Sequence, residues 1–92
     1  MPQLFRIGQY IFFFWSNEND EPIHVHMAIG SPSPNATKLW LTKSGGCVLA
    51  HNKSRISQKH LSEAMDVIQI NHFMICNEWQ KHFGAGEIKF YM

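Results

Sequence analysis

Charge and cysteine are both scarce in this sequence, and no apolar run in it is long. Charged residues occupy 16% of the 92 positions, eight Lys and Arg against seven Asp and Glu, for a formal net charge of +1. Phosphate binding needs clustered cations, so this balance excludes a protein that holds nucleic acid by charge alone. Cys47 and Cys76 lie far apart and outside any CxxC arrangement. They do not make a disulfide framework and fit reduced thiols in the cytoplasm, the expected compartment. The longest apolar run, Tyr10 to Trp15, covers six residues, against the roughly 20 that span a bilayer. No cleavage site follows it, so neither a secretory signal nor a membrane partner is expected. A Gly-rich phosphate loop, a GxSxG elbow and an RNP-like aromatic–basic motif are also missing.

Aromatic rings and histidines are plentiful. Seven Phe, three Trp and two Tyr suit a small core, because each large ring buries roughly 150–250 Å². The length fits one domain spanning residues 1–92. Its first third reads as β. Leu4 to Ile7 and the run Tyr10–Trp15 flank Gly8, and a polar turn cluster, residues 16–22, leads to a strand from Ile23 to Ile29. Two prolines in the segment 30–35 break the chain, and Ala36–Leu41 follows as a further strand.

The second half reads as one helix. Ser57 is its expected N-cap, without a capping box because residue 60 is His. Leu61, Met65, Ile68, His72, Ile75, Trp79 and Phe83 fall within a stripe about 80° wide at 100° per residue. Gly84 and Gly86 end it, and Glu87–Tyr91 alternates weakly, as a short last strand would. The expected architecture is α+β: a small antiparallel sheet of three to four strands with one long C-terminal helix packed on it.

The segment EPIHVHM, residues 21–27, carries the strongest chemical signal. Strand alternation places Ile23, Val25, Met27 and Ile29 on the core face and sends His24, His26 and Ala28 to the outer one. Two imidazoles about 7 Å apart along a strand can converge on one atom. They would serve as a general acid–base pair or as ligands of a divalent metal, with Glu18, Asp20 or Glu21 of the preceding turn supplying a third ligand. The alternative is two half-exposed strand residues without chemistry. His72, within the helical stripe, reads as a core histidine, whereas His51, His60 and His82 read as solvent-exposed. Either cysteine would need a base beside it to act as a nucleophile. Val67, Ile70 and Met74 fall opposite the stripe, with Phe73 on its flank. They mark either a partner or dimer interface, or a helix sunk between the sheet and the tail.

RIGQYIFFFWSNE (residues 6–18), EPIHVHM, ATKLWL (36–41) and Trp79 followed by His82-Phe83-Gly84 together resemble a small bacterial family catalogued as domain of unknown function 4160. The resemblance covers about residues 4–84, and the P-x-H-x-H segment is its most specific element. The family motif lands on Glu18, Pro22, His24, His26, Trp40 and Trp79, and a helical position often His or Asn falls on Asn71 and not His72. The loop 30–35 departs from the family pattern through its two prolines. Relatives are short proteins without an established activity, often encoded beside another small protein in an arrangement like a toxin–antitoxin pair. The resemblance therefore implies either a toxin-like component, with His-based ribonuclease or metal-dependent activity, or a non-catalytic interaction module. The partner would be the neighbouring protein or a second copy of the chain, bound through the aromatic sheet edge and the Val67/Ile70/Met74 patch.

Overall fold

The structure, a computed structural model, describes residues 3–15, 20–84 and 86–92. Five strands form one antiparallel sheet in sequential order: β1 (Gln3–Ile7), β2 (Tyr10–Phe13), β3 (His24–Ile29), β4 (Thr37–Leu41) and β5 (Cys47–His51). Two helices follow, α1 (Gln58–Ile70) and α2 (His72–Phe83). No helix among the described residues is long and apolar enough to cross a membrane.

The hairpin between β1 and β2 pairs Ile7 with Tyr10, leaving only Gly8 and Gln9 in the loop. Gly8 takes φ 55° there, a left-handed conformation that a residue with a Cβ enters at a cost. In β2 all four side chains are buried. Tyr10 and Phe12, continued by Phe14 just beyond the strand, join Val25, Met27, Leu39 and Leu41 in the main core. Ile11 and Phe13 join Ala28 and Ala36 in a second cluster, with Trp15 packed against it. Both sides of the central strands are therefore covered, which explains why six consecutive apolar residues show no alternation.

The helices close the main core with Leu61, Ala64, Ile68, Ile75 and Trp79. Ser57 caps α1 as expected, its Oγ accepting the amide of His60 at 3.3 Å. The expected single helix is two. Asn71 leaves helical geometry at φ −99°, ψ 20°, and its Nδ2 donates to the Val67 carbonyl at 2.9 Å. An Asn side chain that bonds the preceding turn offers the backbone an alternative to the regular helical ladder. The apolar stripe survives because Ile68 and Ile75, on either side of the break, are both fully buried.

The sheet also differs from expectation, with five strands in place of three to four. The CVLAH stretch of β5, residues 47–51, has no clear apolar–polar alternation of its own. It is held by pairing with β4, with Leu41 opposite Cys47 and Leu39 opposite Leu49. The segment 87–92 is not a sheet strand, yet it is tied to the chain on both sides. The Ile23 amide donates to the Lys89 carbonyl at 2.8 Å and the Lys43 amide to the Met92 carbonyl at 2.9 Å. Ile29, expected in the core row, ends β3 at 53% exposure.

Candidate functional site

Alternation in β3 holds, but the face it gives to the histidines is not open. Ile23, Val25 and Met27 belong to the main core. His26 lies opposite Phe13 and Lys38, and His24 opposite Trp40. His24 is 0% exposed and His26 5%, so the expected outer, half-exposed placement is corrected. The imidazole centroids are 5.0 Å apart with the rings perpendicular.

The chain has three tryptophans, and all three stand against this pair. Trp40 and Trp79 meet His24 edge-on at 5.5 and 5.4 Å, and Trp15 lies 6.1 Å from His26. Phe13 stacks on His26 at 5.5 Å, and Tyr91 stacks on Trp40 at 5.2 Å with the rings almost parallel. His24 Nδ1 is 2.9 Å from the Pro22 carbonyl. A carbonyl only accepts, so Nδ1 carries a proton, and in the neutral tautomer that this selects Nε2 is the lone-pair nitrogen. This is the arrangement by which a backbone carbonyl orients a basic or ligating histidine.

The acids expected to complete a metal site are distributed differently. Glu21 pairs with Lys38, whose Nζ also lies 4.3 Å above the Trp40 ring. Asp20 is exposed, and Glu18 lies outside the described residues. Among the described residues, no group of three or more His, Cys, Asp or Glu side chains could hold a metal ion.

The expected helical patch is divided by the break at Asn71. Val67 and Met74 are half-buried, and Met74 packs against the main core. Ile70 is 82% exposed, and the residue that joins it is Phe73, at 84%. Phe73, off the stripe, points to solvent, whereas Met74 leans onto the core. His72 is half-buried, as a core histidine would be, with Phe90 stacked at 6.1 Å and Cys76 Sγ 3.7 Å from its Nε2.

Two other histidines were misplaced by sequence reasoning. His60, expected in solvent, has its Nδ1 3.0 Å from both Tyr10 Oη and Ser57 Oγ. No local pattern joins Tyr10 to a residue 50 positions away. His51, also expected in solvent, is half-buried at the end of β5; burial, then Lys53 and Lys38, lower its pKa below 6.5. Burial, with Asp66 second, pushes the Cys47 thiol up to about 11, and burial also raises Cys76. Both cysteines therefore stay protonated at neutral pH, which removes the nucleophilic thiolate.

A family model matches residues 9–80, most of the chain. The chain belongs to the family described as domain of unknown function (DUF4160). No curated protein and no solved structure matches it. The DUF4160 match takes in both histidines and Phe13, Trp15, Trp40 and Trp79 around them. It leaves out all of β1, and Tyr91.

Proposed function

We propose that this DUF4160 protein is a non-catalytic interaction module, one component of a toxin–antitoxin-type bacterial pair. It docks the small protein encoded beside it on the apolar ridge at the helix junction. The observation that carries this reading is the exposure of Ile70 and Phe73, both above four-fifths and three positions apart. Removing two such side chains from water is worth roughly 1.5–3 kcal/mol each, and aromatic anchors commonly dominate an interface. Beside the ridge lies a depression of about 360 Å³ lined by Lys43, Gln69 and His72 among others, a polar rim for an apolar centre. The buried histidine pair fits the same reading as structural support.

The test is titration of the neighbouring protein, purified separately, with wild type and an Ile70→Glu/Phe73→Glu double variant. The double variant should bind at least tenfold more weakly while its thermal midpoint stays within a few degrees. Unchanged affinity removes the reading. Light scattering of the chain alone reports whether a second copy takes the same ridge.

One observation favours the enzymatic alternative, a toxin-like protein with a His-based or metal-dependent centre. The Pro22 carbonyl orients His24 with Nε2 as the lone-pair nitrogen, next to a second imidazole. Elemental analysis of tag-free protein addresses the metal version, for which one equivalent of a divalent metal is required. Growth inhibition or hydrolysis that persists in a folded His24→Gln/His26→Gln variant removes the acid–base version.

A further inference from the structure

Two depressions meet where the β1–β2 hairpin faces the first turns of α1. The inner one, about 130 Å³, has Phe12, Met27, Ala64 and Val67 for its floor and walls. The outer one, about 200 Å³, opens over Gly8 and Gln9. Ile7, Tyr10, His60 and Glu63 line both. An apolar chamber of this size accepts a benzene-sized body, and the shared residues give it a polar mouth.

Three side chains meet in hydrogen-bond contact at the mouth. Tyr10 is 9% exposed, and its Oη and Ser57 Oγ both lie 3.0 Å from His60 Nδ1. When Nδ1 is the unprotonated ring nitrogen, the Tyr10 hydroxyl can donate to it there. The phenol oxygen then keeps its lone pairs for a donor arriving from the cavity. Glu63 stands one helical turn after His60, with an exposed side chain on the rim. A carboxylate and a phenol oxygen beside an apolar chamber are complementary to a cationic donor on an apolar body.

We propose that this cavity is a binding site for a small organic amine with a ring-sized apolar body. The body fills the inner chamber, and the ammonium donates to Glu63 and to Tyr10 Oη. The site is separate from the helix-junction ridge, since neither Ile70 nor Phe73 lines it.

Benzylamine is the probe, titrated into the ¹⁵N-labelled full chain, with benzyl alcohol and benzoate in parallel. Benzylamine should shift the amides of residues 7–12 and 60–67 saturably, with the millimolar dissociation constant expected for so small a ligand. It should bind about fivefold more tightly than benzyl alcohol, in keeping with one partly screened ion pair, and benzoate should not bind. Glu63→Gln, at an exposed position, should reduce benzylamine to the level of benzyl alcohol. Ala64→Leu, which fills the chamber, should abolish binding of both while the amide spectrum stays dispersed. No saturable shift in wild type, benzoate binding equal to benzylamine, or indifference to Glu63→Gln overturns the proposal.

Discussion

His24 is enclosed by rings, with Trp40 and Trp79 edge-on and His26 perpendicular to it. Its hydrogen bond to the Pro22 carbonyl anchors the start of β3. Removing the ring leaves a void that packed indoles cannot fully close, at a cost of about 2–4 kcal/mol. His24→Ala should lose that much in urea unfolding followed by tryptophan fluorescence. A loss below about 0.5 kcal/mol would show that the shell does not depend on the imidazole. Cys47 offers a second test. Its pKa rises in the folded state from 9.0 to about 11, chiefly through burial. The unfolded chain therefore releases the proton first, so this group's contribution is fully present below pH 9 and is lost between pH 9 and about 11. Native alkylation by iodoacetamide at pH 8 should be much slower than in urea, and Cys47→Ala should flatten the alkaline loss of stability.

The helical half shows how an element is set by local chemistry and then adjusted by packing. Ser57 was legible as an N-cap because a hydroxyl just before the first apolar turn satisfies an orphan amide. Its Oγ also reaches His60 Nδ1, so one side chain both starts α1 and holds the histidine at the cavity mouth. Ser57→Ala should cost about 1 kcal/mol in chemical denaturation and broaden or shift the His60 ring signals. A variant as stable as wild type would deny the cap its role. The break at Asn71 was not legible. Periodicity in Leu61, Ile68, Ile75 and Trp79 runs through it, so the stripe carries no sign of the departure. Off the stripe, the exposed ridge is Ile70/Phe73 and not Val67/Ile70/Met74.

Across the whole molecule, the segment 87–92 joins parts of the chain that are remote in sequence. It takes amide hydrogens from Ile23 and Lys43 and places Tyr91 on Trp40 and Phe90 on His72. Deleting residues 87–92 should therefore cost about 2–4 kcal/mol, from two lost hydrogen bonds and the uncovered rings. It should also raise acrylamide quenching of tryptophan fluorescence. A truncated chain with unchanged stability and quenching would reduce the segment to decoration. What the sequence determined by itself was local: the two-sided alternation of β3, the cap at Ser57 and the apolar stripe. Each depends on residues within one turn or one pleat of each other. Only the tertiary structure decided that the histidine face is covered, because the groups against it come from residues 13, 15, 40 and 79, with Tyr91 behind Trp40. Alternation states which side a histidine faces; whether water or a tryptophan lies on that side depends on where distant chain returns.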